Sequence, residues 1–118
     1  MNEQLYYLMF AFFMTHELDA IDKKEWRVFP LTAPLPEGMA KSVFIWAHVP
    51  LFILFLYSGA ANPSSFAAQV LSALAIVHVG LHWLFRKHPE YKFDSLTSRA
   101  LIAGAGVFGA LHLASLLV

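Results

Sequence analysis

The sequence predicts an all-α integral membrane protein, a bundle of four transmembrane helices, and three observations predict it. Of its 118 residues 58% are hydrophobic and only 14% are charged, whereas a soluble domain carries about a quarter charged residues. So short a chain has too little interior to hide that much apolar surface from water. The apolar residues also fall in four long continuous runs. A membrane barrel needs many alternating segments of about ten residues, so strands are not expected.

The elements follow in chain order as one domain over residues 1–118, with helices at 4–24, 41–58, 66–87 and 95–118. A spanning helix needs roughly 20 mostly apolar residues. The first run is the weakest, because it holds His16, Glu17 and Asp19. The second is short and strongly apolar, with Pro50 inside it; the third and fourth are full spans. The loop after the first run contains Pro30, Pro34 and Pro36 and is expected to be irregular, with Trp26 and Phe29 at the headgroup level. Gly59 and Pro63 mark a tight turn between the second and third helices. Ser95 is placed to cap the fourth. Met1-Asn2-Glu3 lacks the basic start of a secretory signal, so the first run is expected to stay in the mature protein.

Charge gives the orientation. Lys23, Lys24, Arg27, Lys41, Arg86, Lys87, Lys92 and Arg99 all fall on one side of this topology, and Glu3 is the only charge on the other. By the positive-inside rule both long loops are cytoplasmic and both termini outside, as in a bacterial inner membrane. A formal net charge of zero offers no basic patch for nucleic acid, and the absence of cysteine excludes thiolate chemistry and disulfides. The partner expected from composition is membrane lipid. Ala105, Gly106, Gly109 and Ala110 form small-residue pairs on the fourth helix, suited to packing within the bundle or to a homo-oligomer.

Ionisable side chains inside a span are costly, so their depth and facing carry information. Counted from the cytoplasmic boundary at about 1.5 Å per residue, Asp19 lies about 3 Å inside, His82 about 4.5 Å and His16 about 7.5 Å. His48 follows at about 9 Å and His78 at about 10.5 Å, while His112 falls near 18 Å. Three helices thus bring ligand-type side chains to one layer. His16 and Asp19 share a face of the first helix, and His78 and His82 share a face of the third at the i, i+4 spacing that offers two imidazoles to one ion. The expected metal ligands are His16, Asp19, His48, His78 and His82. That set suits a divalent metal, zinc or iron, as one ion or two.

Each residue also has a plainer reading. A lone membrane histidine is commonly a hydrogen bond between helices, and this is the role expected of His112. Asp19 has Lys23 one turn away. Glu17 points about 100° from His16; it is either a catalytic general base beside a metal-bound water or an ion pair with Arg99, the latter slightly favoured. Asp22 and Glu25 read as rim charges and His88 as solvated.

His16-Glu17-Leu18-Asp19-Ala20, followed by Glu25-Trp26-Arg27, resembles the small membrane proteins grouped under an HXXEE motif, which also scatter histidines over later helices. Asp19 stands where that motif has its first Glu, and Ala20 replaces the second. The resemblance implies a metal site at His16 and Asp19. The segment is not a zincin motif, which needs histidine where this chain has Ala20.

Three functions are compatible with this pattern. The leading one is a metal-dependent membrane enzyme, hydrolytic or oxidative, acting on a lipid or other apolar substrate near the cytoplasmic leaflet. The alternative is haem b electron transfer, with His48 and His78 as axial ligands at matching depth. Metal or proton transport ranks last, because the outer half of the bundle offers little beyond His112, Ser72 and Ser115.

Overall fold

A computed structural model describes residues 2–118, with residue 60 in its backbone only. It contains four helices, α1 Asn2–Asp22, α2 Glu37–Ala61, α3 Phe66–Leu84 and α4 Leu96–Ser115, with a 3₁₀ turn at Glu25–Arg27 in the first long loop. The molecule is 44 Å long, enough to cross a hydrocarbon core of about 30 Å with its loops outside. Helix ends follow local chemistry. Ser65 and Ser95 cap α3 and α4 by accepting from the backbone N–H of Ala68 and Ser98. Such a cap contributes about 1 kcal/mol. α2 begins at Glu37 rather than 41, because Pro36 already has a φ of −55° at its entrance. α3 stops at Leu84 rather than 87, where Arg86 folds back to donate to the Trp83 carbonyl at 2.7 Å.

Three helices are long and apolar enough to cross a membrane: Glu37–Gly59, Phe66–Leu84 and Leu96–Ser115. The expected fourth span, α1, does not reach that standard, since His16, Glu17 and Asp19 interrupt its last turns. α1 instead has the more buried character. Tyr6, Met9, Phe13, His16, Glu17 and Ala20 point inward, and the helix packs along α4. α4 packs closely on both α1 and α3, whereas α2 rests on α1 and α3 sparsely, with 17% of its apolar window buried. Its outward face (Trp46, Ile53, Leu54, Leu56 and Tyr57 among others) is exposed.

Two apolar clusters stack along the bundle. Tyr6, Met9, Phe13, Phe55, Leu71 and Ala75 form the one remote from the long loops. Ala20, Trp26, Ala40, Phe44, Phe93 and Ile102 form the one at the loop end. Trp26, expected at the headgroups, is 2% exposed and donates its indole N–H to Glu37. The first long loop is thus a plug rather than an open strand of chain. At the remote end Ser72 donates to His112 Nδ1 and His112 Nε2–H donates to the Pro63 carbonyl, both at 2.7 Å. His112 therefore bridges helices there. Gly109 makes room for this contact: a Cβ on it would stand 2.8 Å from the Ser72 carbonyl oxygen. Ala105, Gly106 and Gly109 are buried within the bundle, and Ala110 is exposed.

Candidate metal centre

The site begins where α1 ends. The last helical bond runs from Lys23 N–H to the Asp19 carbonyl, and Lys24 then adopts the left-handed conformation with φ 55° and ψ 52°. A left-handed residue stops a helix and reverses the chain. Glu25 follows His16 by nine residues, so on a continued helix it would point about 180° away. The turn at Lys24 brings it back over the bundle end, where it is buried at 8% exposure.

There Glu25 meets three imidazoles. His78 Nε2 lies 2.8 Å from His16 Nε2 and 3.0 Å from His82 Nε2. Glu25 Oε1 is 3.0 Å from His82 Nε2 and 3.4 Å from His78 Nε2, and Oε2 is 4.0 Å from His16 Nε2. All four ligand atoms lie within 4.8 Å of one another. Hydrogen bonding alone satisfies this set poorly, because a proton on His78 Nε2 can face only one neighbouring nitrogen at a time. A central cation faces all of them. Metal–nitrogen bonds of about 2.0–2.1 Å in a tetrahedron set ligand atoms about 3.3 Å apart, close to the spacings found.

The second long loop closes the site. Tyr91 Oη lies 3.2 Å from His82 Nδ1, an outer partner that orients an imidazole whose Nε2 faces inward. Phe93, 1% exposed, sets its ring edge-on to His82 with centroids 4.6 Å apart. Burial and then the Glu25 charge push the Tyr91 hydroxyl up, so it stays neutral. Burial pushes the Glu25 carboxyl up, but hydrogen bonds from His78 and His82 more than reverse this and hold it well below the usual carboxylate range. His16 Nδ1 is buried without a partner, a cost of about 1–3 kcal/mol, and it faces away from the Nε2 atom that joins the cluster.

The structure brings together three of the five expected ligands, His16, His78 and His82. Asp19 is elsewhere. It points toward α4, accepts from Ser98 Oγ at 2.6 Å and pairs with Lys23 at 3.4 Å, because three helical positions rotate it about 60° from His16. Its place is taken by Glu25, read from the sequence as a rim charge. His48 is also occupied otherwise: its Nε2 bonds Glu17 and its Nδ1 lies 2.6 Å from the Phe44 carbonyl. Both ring nitrogens thus face acceptors. The favoured Glu17–Arg99 ion pair is not formed, since Glu17 binds His48 and Arg99 is exposed on α4. Glu17 Oε1 does stand 3.8 Å from His16 Nε2, beside the cluster. His48 Nε2 is engaged by Glu17 and His78 Nε2 by His16 and His82, so the haem reading finds no support. His88, half-buried, accepts from the Glu90 N–H in its own turn.

The sequence held one signal for Glu25. An acidic residue directly before a tryptophan, in a loop closed by prolines, marks a segment with an apolar anchor. Trp26 anchors among Phe44 and its neighbours, and that anchor carries Glu25 inward.

Beside the site lies a cavity of about 310 Å³ between α2 and α3. Glu17, Glu25, His48 and His78 are its ionisable lining residues, and apart from Thr32 the remainder is apolar. The arrangement can therefore hold a cation beside a largely apolar cleft. The family model described as a family of unknown function (DUF6713) matches residues 2–118, and the chain belongs to that family. No curated protein and no solved structure matches it, and the resemblance to HXXEE-motif proteins finds no support in these comparisons.

Proposed function

We propose that this member of the DUF6713 family is a metal-dependent membrane enzyme acting on a lipid or other apolar substrate, with one divalent ion held by His16, Glu25, His78 and His82. The observation that carries the reading is the convergence of four ligand atoms from α1, α3 and the loop turn within 4.8 Å. Imidazole with carboxylate suits zinc or iron. Four protein ligands fill a tetrahedral zinc shell but leave two positions on a six-coordinate iron, which favours iron and oxidation over hydrolysis. The ion would supply Lewis acidity or redox capacity. Glu17, paired with His48 and 3.8 Å from His16, is placed to take a proton from a group bound there.

The same reading makes α1 a fourth crossing. It runs along α4, which is apolar enough to span, and it turns its polar residues inward rather than to lipid. The Lys and Arg residues gather at the loop end, which favours placing the metal centre near the cytoplasmic leaflet. Elemental analysis of the purified protein tests the proposal. About one equivalent of iron or zinc is expected, falling below about a tenth in His78→Ala. Less than about half an equivalent, unchanged by His78→Ala, overturns it.

A further inference from the structure

We propose that the pocket between the end of α3, the second long loop and the start of α4 binds the head of an anionic glycerophospholipid through its phosphate. Of the four candidate metal ligands only His82 lines this pocket, so the site stands whether or not an ion is bound.

The pocket lies at a membrane boundary. The apolar span of α3 ends at Leu84 and that of α4 begins at Leu96, and a volume of about 490 Å³ opens along the segment that joins them. The buried side chains of His82 and Phe93 form part of its lining, which makes it a recess rather than a flat surface. Trp83 is exposed beside them, and tryptophan is a residue that settles at headgroup depth.

Charge names the occupant. Arg86, Lys87 and Arg99 line the pocket against one carboxylate, Asp94. Among the described residues none of these three cations has an acidic partner, whereas Lys23 pairs with Asp19 and Asp22, and Arg27 with Glu37 and Glu90. Glu90, the other acid of the second long loop, is thus engaged elsewhere, and Asp94 alone faces three positive charges. Basic pockets at the ends of spanning helices are suited to anionic lipid heads.

Arg86 is already posed for a phosphate. Its guanidinium stacks on the Trp83 ring, 4.0 Å from the centroid, and Nη1 donates to the Trp83 carbonyl at 2.7 Å. These contacts leave the rest of the fork open to phosphate oxygens, which arginine binds in pairs. A zwitterionic lipid offers the same phosphate but adds a cation that the three basic side chains repel. An ion at the metal centre would add positive charge behind His82 and acts in the same direction. Lipid is the source of the phosphate because the recess opens at headgroup depth, where phospholipid is the concentrated anion.

Native mass spectrometry of the full-length protein released from detergent, titrated with phosphatidylglycerol or phosphatidylcholine of matched chains, tests the site. One phosphatidylglycerol is expected to bind about 10- to 30-fold tighter than phosphatidylcholine, since three cations less one carboxylate act at about fivefold per charge. Arg86→Gln and Arg99→Gln should each cut that preference about fivefold. Lys41→Gln, in a cation that rests over the Trp26 ring instead, should change it by less than about twofold. Asp94→Asn removes the opposing charge and should raise affinity for phosphatidylglycerol about fivefold, a gain that misfolding does not produce. Equal binding of the two lipids, a loss from Lys41→Gln as large as that from Arg86→Gln, or no gain from Asp94→Asn overturns the proposal. Bound phosphatidylglycerol that resists millimolar inorganic phosphate supports a lipid occupant, and its displacement by phosphate overturns it in favour of a soluble anion.

Discussion

Replacing Glu25 by glutamine separates the geometry of the structure from the pattern of the sequence. Glu25→Gln keeps the size of the side chain and one carbonyl oxygen but removes its charge, 3.0 Å from His82 Nε2 and 3.4 Å from His78 Nε2. Structural zinc sites with four protein ligands bind with about 10–16 kcal/mol, or about 2.5–4 kcal/mol for each ligand if shared evenly. At about 1.4 kcal/mol per tenfold, the substitution weakens binding about 100- to 1,000-fold. Asp19→Asn is the control. Asp19 serves Ser98 and Lys23 and touches no member of the cluster, so its loss should change affinity by under about twofold, as for sites that share no partner. Competition of detergent-solubilised protein against a chromogenic chelator, with zinc and then ferrous iron, measures both. An Asp19→Asn protein that loses the ion while Glu25→Gln keeps it would refute the ligand assignment.

Tyr91→Phe removes the oxygen facing His82 Nδ1 and should weaken metal binding about 10- to 100-fold in the same chelator assay, with the fold unchanged by circular dichroism. Acid should release the ion, because a proton competes for each of the three imidazoles. Dialysis is expected to show full occupancy at neutral pH and loss below about pH 6, with more than one proton taken up per ion. Gly109→Ala places a methyl 2.8 Å from the Ser72 carbonyl oxygen and should destabilise the α3–α4 contact by about 1–3 kcal/mol. Gly80→Ala meets nothing within 4 Å and should be neutral or stabilising by up to about 1 kcal/mol. Thermal denaturation in detergent ranks the two.

The helices were legible because hydropathy and caps are local. Ser95 was read as a cap and acts as one, and the runs at 66–87 and 95–118 differ from α3 and α4 only by frayed ends. The three imidazoles were legible too, since depth and facing follow from helix rise and twist once the loop side is known. Glu25 was not. Its direction depends on a left-handed Lys24 and on Trp26 finding Phe44 across the chain, and neither follows from helical periodicity. Asp19 failed for a related reason. Sharing a face with His16 is a statement about one helix, and the partner that claimed it, Ser98, is 79 residues away. His48 was read as a metal ligand and Glu17 as a base or a partner of Arg99; across α1 and α2 they bond each other instead. The difference between three spans and four rests on α1, whose His16, Glu17 and Asp19 lower its hydropathy.

The left-handed turn at Lys24 also divides the candidate ligands into two kinds. The imidazoles are carried by helices, whose positions are fixed when the bundle inserts and packs. The carboxylate rides on a short segment outside them, held by one indole and one backbone reversal. Glu25 is thus the one member of the group whose position depends on a loop, so a change at Lys24 or Trp26 would displace it without moving a helix.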